Sequence, residues 1–426
     1  MRILHTSDWH LGRTLEGHNR IEEQREFLDE LCTILESENI NLVLVAGDVF
    51  DTYNPSAEAE KLFYEALERI SGNGRRAVVV IAGNHDSPDR LHAANPLAYK
   101  HGIFLLGYPG EDLSEELSAF PVIDEAAASA EESAAAPKRI SRPAGGPGWL
   151  ELSVPRCAEN AVIACLPYPS EQRLNDILSQ SLEDEDMQKA YSERVAAAFQ
   201  QASANYREDT VNLAVSHLFV LGGMSSDSER EIQLGGAYVV EPAAMPAKAH
   251  YVALGHLHRP QAVGGTPVPC RYSGSPLCYS FSEADQQKEV VLIEARPGFE
   301  TIIKQIRLTA GKPMRLLRFT DYGQACDWCS ADENKNTWAD IEIQSPEPLT
   351  SQQVSDLRKI HTGIINVRVI LPGINNEENS GPRLSELPLE VKFSRFVARE
   401  TGTAPQQELI DLLLSLLDGS ENHEAS

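Results

Sequence analysis

The chain is short of positive charge. Its 426 residues carry 37 Lys and Arg against 63 Asp and Glu, a formal net charge of −26 at pH 7. That balance excludes a protein that grips a polyanion by bulk electrostatics alone, though not one whose cations or partner supply the positive charge. Cysteine is scarce and odd in number: seven are scattered along the chain, which suits a reducing compartment and not a disulfide framework. Cys326-x-x-Cys329 has no second pair and no partner histidine, so it reads as two reduced thiols. No apolar run is long enough to span a bilayer, and Met1 to Thr6 is too short and polar for a signal peptide. A cytoplasmic protein with no membrane contact is therefore expected.

Against these absences stands one recurring pattern. Val78-Val79-Val80-Ile81-Ala82 reads as a strand buried on both faces, and it stops at Gly83 before three polar residues, Asn84, His85 and Asp86. Taken alone this is as well explained by an Asx-type turn. The pattern recurs, however. Met1–Thr6 leads into Ser7-Asp8-Trp9-His10, with Asp8 and His10 expected on one side of an extended segment. Leu42–Ala46 ends in Gly47-Asp48-Val49-Phe50-Asp51, Asn212–Val215 ends at His217, and Tyr251–Leu254 runs into Gly255-His256-Leu257-His258. Helices are expected over Arg20–Leu35 and from Asn54-Pro55 onward, completing a β-α-β-α-β run. That alternation implies an α/β fold with a parallel sheet, in which ligands sit at the carboxyl ends of the strands.

Asp8, His10, Asp48, Asn84, His217, His256 and His258 thus form a set of nitrogen and oxygen donors without a cysteine. Seven such donors are enough for two cations sharing Asp48. Mixed imidazole and carboxylate ligands suit Mn²⁺, Fe²⁺ or Zn²⁺ over Ca²⁺ and Mg²⁺. Two such ions would clamp the oxygens of an in-line phosphoryl displacement. His85, left over from the ligand count, would be free to bond the phosphate or protonate the leaving oxygen. The Tyr272-Ser273-Gly274-Ser275-Pro276 turn is expected to line the same edge.

Length alone permits two or three domains. The expected division is a first domain over 1–285, a smaller α+β domain over 286–380 and C-terminal helices within 381–420. The acidic, Ala-rich stretch from Glu111 to Gly148 reads as a mobile insertion. Helices are expected around Leu389–Thr401 and Gln406–Leu417, the second with more apolar residues than one core-facing stripe needs. That excess implies a partner.

In order, Asp8-Trp9-His10, Gly47-Asp48, Gly83-Asn84-His85-Asp86, His217 and Gly255-His256-Leu257-His258 resemble the motifs of the calcineurin-like metallophosphoesterases. The longer words, Thr6 to Gly12, Gly47 to Asp51, Gly83 to Ser87 and Ala253 to Gln261, are similar to those of the SbcD exonuclease subunits within that superfamily. The resemblance covers about residues 1–310. It implies a four-layer β-sandwich flanked by helices, a capping domain, and a C-terminal segment that binds an SbcC-type ATPase. It also implies Mn²⁺ as the metal, with Asp8, His10, Asp48 and His258 on one ion, Asp48, Asn84, His217 and His256 on the other, and His85 as the catalytic histidine. A homodimer through Pro55–Ile70 and Pro88–Tyr99 is implied, as is exonuclease action on duplex ends and endonuclease action on single strands and hairpins. Asp51 stands where archaeal and eukaryotic relatives carry His. A small-molecule phosphodiesterase or nucleotide phosphatase would use the same metal site, and a non-catalytic scaffold is a third reading.

The charge balance carries a prediction. By itself the chain should bind duplex DNA weakly at physiological salt, the ATPase supplying most of the affinity. Tight binding of duplex by the isolated chain in a fluorescence-anisotropy titration would refute it.

Overall fold

The computed structural model describes residues 1–115, 117–119, 139–170, 184–229 and 238–370. From the amino end the chain runs β1 (Arg2–Thr6), α1 (Ile21–Ser37), β2 (Leu42–Ala46), α2 (Ala57–Ser71), β3 (Ala77–Ile81), α3 (Pro88–His92), α4 (Asn95–Ala98) and β4 (Ile103–Leu106). These strands pair in parallel in chain order, as the β-α-β alternation implied. Next come β5 (Leu117–Ser118), β6 (Ser141–Gly146), β7 (Trp149–Ser153), β8 (Ala161–Leu166), α5 (Asp184–Ser203) and β9 (Val211–His217). A short ladder joins β10 (Phe219–Val220) to β11 (Val239–Val240). With β12 (Tyr251–Gly255), β13 (Gln261–Ala262) and β14 (Cys270–Tyr272) a second sheet forms in the order 13-14-12-9-8-7-6-5.

The two sheets stack, and alternation along each strand divides its residues between two apolar layers. In β3, Val78 and Val80 join Phe27, Leu31, Phe63 and Leu67 beneath α1 and α2. Ala77, Val79 and Ile81 face Ile163, Leu213 and Ala253 between the sheets. On the far side, Ala164, Ala214 and Val252 pack against Val195 and Phe199 of α5. The result is the helix–sheet–sheet–helix stack that the resemblance implied. Ser56, not Asn54, caps α2 by accepting a hydrogen bond from Ala59 N at 3.2 Å, so the helix starts two residues later than Asn54-Pro55 suggested.

Two expected boundaries are corrected. A capping domain was expected from 286, but β15 (Glu289–Glu294) and β16 (Ile302–Arg307) return to the first sheet, whose order is 16-15-1-2-3-4. β15 pairs antiparallel with β1, and its residues are core on both faces: Val290 and Leu292 lie under the helices, Val291 and Ile293 between the sheets. A run of strands in a sequence says nothing of which sheet each one joins. The small domain is instead β17 (Met314–Phe319), α6 (Tyr322–Ser330), β18 (Trp338–Gln344), α7 (Ser351–Ile360) and β19 (Ile364–Ile370). Its three strands are parallel, with both helices packed on one face, so it is built of β-α-β units and not the α+β layout expected. Cys326 and Cys329 lie on α6 as free thiols.

The second correction concerns the insertion expected over 111–148. Its described flanks belong to the second sheet: β5 pairs with β6, and β6 with β7. Gly145, Gly146 and Pro143 hid β6 from a reading by periodicity. Residues 116 and 120–138 lie outside the described residues, as do the C-terminal helices expected within 381–420. Among the described residues no helix is long and apolar enough to cross a membrane.

The small domain is fastened to the two-sheet domain by a buried polar contact. Trp338 Nε1 donates to Glu23 Oε1 at 3.0 Å, Glu23 pairs with Arg20 at 2.7 Å, and Lys312 N donates to Glu23 Oε2 at 2.8 Å. Because Leu292 is 1 % exposed and enclosed by the helical layer, Leu292→Ala should cost about 2–5 kcal/mol. Urea denaturation followed by circular dichroism measures this; an unchanged midpoint would place β15 outside the core of the two sheets.

Candidate metal centre

Five loops meet where the carboxyl ends of β1, β2 and β3 in one sheet approach those of β9 and β12 in the other. The backbone is laced together first. Asp8 N donates to Gly47 O at 3.0 Å and His10 N to Asp48 O at 3.0 Å. His85 N donates to Asp48 Oδ1 at 2.9 Å, and His256 N to Asp8 Oδ1 at 2.9 Å. The sheets can approach this closely only because key positions lack a side chain. A Cβ on Gly255 would collide with the Ala46 carbonyl, and one on Gly83 with the Asp48 carboxylate.

Asp8 and His10 do not share a side by lying in extended chain, as the two-residue spacing suggested. Both are left-handed, at φ 53° and 46°, and so are Asp48 at 49° and His256 at 104°. Each such residue costs about 1–3 kcal/mol, and strain of this kind collects at functional sites. The alternation argument for His256 and His258 fails likewise, because the two imidazoles turn to different halves of the cluster.

In one half His10 Nε2 lies 3.0 Å from His258 Nε2, with Asp8 beside them. In the other, Asn84 Oδ1 lies 2.9 Å from His217 Nε2 and 3.0 Å from His256 Nδ1. Asp48 stands between the halves, its Oδ2 3.7 Å from His10 Nε2 and 3.5 Å from His217 Nε2. All seven donors expected from the sequence are thus brought together. Asp8, His10, His217 and His258 are buried almost completely.

The donor set fits cations. His217 Nδ1 donates to the Ala46 carbonyl at 2.9 Å, which leaves the lone pair of a neutral Nε2 facing the lone pairs of Asn84 Oδ1. His10 Nδ1 is buried without a hydrogen bond. Two nitrogens bound to one ion at about 2.1 Å and at right angles would stand about 3 Å apart, close to the His10–His258 separation. A cation among them would accept the lone pairs of Asn84 Oδ1 and of the imidazole Nε2 atoms, whereas His10 Nδ1, on the far side of its ring, gains no partner from it.

Electrostatics agree. Burial drives the His10 imidazole well below its ordinary range and brings His256 to about 3, so both are neutral and able to ligate. Burial would raise Asp48, but the His217, His85 and His10 imidazoles hold it well below the usual carboxylate range. Burial lifts Asp8 to about 6. Burial alone would depress His217, yet Asp48 and Asp8 beside it raise it to about 9 in the cation-free protein.

His85 sits at the edge of the cluster. Its Nδ1 donates to the Asp51 carbonyl at 2.6 Å, which turns Nε2 inward to 3.9 Å from Asp48 Oδ2. Asp86 accepts from Gly83 N at 2.8 Å, Phe50 N at 2.9 Å and Val49 N at 3.1 Å, locking the β2 and β3 loops together. The 272–276 turn lines the same edge as expected: Ser273 Oγ is 2.8 Å from Ser7 Oγ, and Ser275 N donates to His258 O at 3.1 Å.

Sequence reasoning passed over several residues. Tyr279 donates its hydroxyl to the Trp9 carbonyl and stands edge-on to His10 and His258. Glu229 Oε1 accepts from His258 N at 2.7 Å, and a buried group of Ser228, Glu283 and Lys288 lies behind His258. None of them sits at a strand end, and no local word marks them.

Two stacked sheets with an Asp, His and Asn cluster at their joined strand ends define a calcineurin-like phosphoesterase, and residues 1–260 match the family described as Calcineurin-like phosphoesterase. The chain is 40% identical over 427 residues to the SbcD subunit of the SbcCD nuclease of Bacillus subtilis (strain 168), covering 100% of both chains. It is 36% identical to the Rhodobacter capsulatus protein of that name over 332 residues, 76% of this chain and 73% of that one. With the SbcD subunit of the Escherichia coli (strain K12) SbcCD nuclease it shares 30% identity over 97% of each. The chain therefore belongs to the calcineurin-like phosphoesterases, in the SbcD subunit family.

A cation entering the Asn84 half must displace the second proton of His217. Binding of Mn²⁺ should therefore release protons at pH 7.5 and tighten as pH rises toward about 9. Below about pH 6 protonation of Asp8 should weaken it further. Calorimetric titrations in two buffers of different ionisation enthalpy measure the release; identical heats at pH 7.5 would contradict the assignment.

Proposed function

We propose that this chain is the nuclease subunit of a DNA-processing complex, a phosphodiesterase that uses two divalent cations, Mn²⁺ foremost, in DNA repair and recombination. The observation that carries the reading is Asp48 Oδ2, poised between two groups of buried lone pairs. In this reading Asp8, His10, Asp48 and His258 hold one cation, and Asp48, Asn84, His217 and His256 the other. The bound pair would supply Lewis acidity at the phosphoryl oxygens and a hydroxide nucleophile near neutral pH.

The remaining chemistry belongs to the chain. The Nδ1–H bond to the Asp51 carbonyl fixes the His85 ring, so that Nε2 meets a phosphate oxygen or, as imidazolium, gives a proton to the leaving oxygen. Asp51 supplies a carbonyl there, and its carboxylate lies 3.7 Å from Arg13 Nε. Asp86 keeps Gly83 and the Asp48 loop in register, so His85 and Asn84 approach the phosphate from one turn.

The relatives are named as one part of an SbcCD nuclease, which supports an SbcC-type partner. In this reading the partner is an ATPase, and duplex ends, hairpins and single strands are the substrates. A homodimer through α2 and the Pro88–Tyr99 segment fits the exposed Tyr64 and Leu97 on those elements.

Two measurements test the reading. Mn²⁺-dependent cleavage of a labelled DNA hairpin should appear with the partner ATPase and ATP; cleavage of only a small phosphodiester under every condition would leave a small-molecule enzyme instead. His85→Gln should keep both cations and lose cleavage by about 10²–10⁴-fold, the usual worth of a positioned proton donor. Loss of a cation in that variant would make His85 a ligand.

A further inference from the structure

Behind His258, on the side away from the cluster, lies a buried charge pair that the proposed reaction does not use. Glu283 is fully buried on the short turn Phe281–Glu283, and Lys288 Nζ meets its Oε2 at 2.5 Å. Lys288 also donates to the His258 carbonyl at 2.9 Å and to Ser275 Oγ at 3.0 Å. The other Glu283 oxygen faces Ser228 Oγ, and Ser228 Oγ in turn faces His258 Nδ1.

The proton count along this row has one solution. A carboxylate paired with an ammonium only accepts, so the single hydroxyl proton of Ser228 goes to Glu283. Ser228 Oγ is then left to accept, and the donor facing it is His258 Nδ1–H. In a neutral imidazole the lone pair must consequently sit on Nε2, the atom that faces His10 at 3.0 Å. The row is held at its ends as well. Glu229 Oε1 accepts from His258 N at 2.7 Å, and Phe281 of the same turn as Glu283 packs against the cluster that Leu15 forms with Met314, Trp338 and Ile365 of the small domain.

We propose that Ser228 and Glu283 are positioning residues for one of the two metal positions, holding His258 in its Nδ1–H form with Nε2 aimed at the Asp8 and His10 half. Partners of this kind typically govern ligand affinity by 10- to 100-fold, or about that order. Their influence falls on one position only, because the Asn84 half takes its tautomer from elsewhere: His217 Nδ1 is fixed by the Ala46 carbonyl. The inference rests on the metal-centre reading given above.

The test is a calorimetric titration of the full chain with MnCl₂. Ser228→Ala removes the relay hydroxyl and leaves the Glu283–Lys288 pair in place. One of the two affinities should fall by about 10- to 100-fold with the other unchanged, and Ser228→Thr should restore it. Equal loss at both positions, no loss at either, or a threonine variant that behaves as alanine would overturn the proposal. Histidine-selective ¹⁵N spectra of the metal-free wild-type chain give a second readout that needs no stable variant: His258 should appear as the Nδ1–H tautomer, and the Nε2–H form would overturn it. Wild-type protein that takes up no Mn²⁺ would instead refute the metal centre itself.

Discussion

Asp48 is a carboxylate buried almost completely, with its Oδ2 within 4 Å of three imidazoles. A charge in such a place is costly unless it is paired and hydrogen-bonded. The chain meets one oxygen with the His85 backbone N–H and leaves the other to the imidazoles and to whatever cation they admit. Much of the surrounding architecture is explicable as support for that one group. The β2 loop carries it in left-handed backbone, the β1 and β3 loops hydrogen-bond to it, and β9 and β12 bring in histidines from the opposite sheet.

The strain at Asp8, His10, Asp48 and His256 needs a restraint of equal strength, and Asp86 provides part of it. Three backbone donors converge on its buried carboxylate, and burial together with the Asp48 charge raises it to about 6. An oxygen acceptor with three fixed N–H partners resists reorganisation far better than a loop held by solvent. The glycines do the complementary work. At Gly47 a Cβ would run into the His217 ring, and at Gly255 into Ala46, so the two sheets meet backbone to backbone at the one place where ligands from both are required.

Much of this was legible in the sequence because the donors come in short words at strand ends. Val78–Ile81 announces a buried strand, Gly83 ends it, and Asn84 and His85 follow at once; the same holds for Asp48 and for His256 with His258. What could not be read was how those donors turn. Period-two reasoning put Asp8 with His10, and His256 with His258, on one side; Asp8 and His10 do meet, through left-handed and not extended backbone, while His256 and His258 part to different halves. Sheet membership was equally hidden. β15 is an apolar strand among strands, and only its pairing with β1 shows that it closes the catalytic core. Ser228, Glu283 and Lys288 left no trace, since the ion pair lies within one connection before β15, at a spacing no motif marks, and Ser228 reaches it from another loop.

The small domain engages this arrangement asymmetrically. Trp338 bonds Glu23, Glu23 pairs with Arg20, and the Arg20 guanidinium lies 5.6 Å from the centre of the Tyr279 ring. Tyr279 stands edge-on to both His10 and His258. A second route runs from the cluster of Leu15, Met314, Trp338 and Ile365 through Phe281 to the turn that carries Glu283. Both routes end on the half of the cluster that contains His10 and His258. Packed cores transmit displacement instead of absorbing it. The small domain thus reaches the cluster through the half that contains His10 and His258, while Asn84 and His217 are anchored by the two sheets themselves.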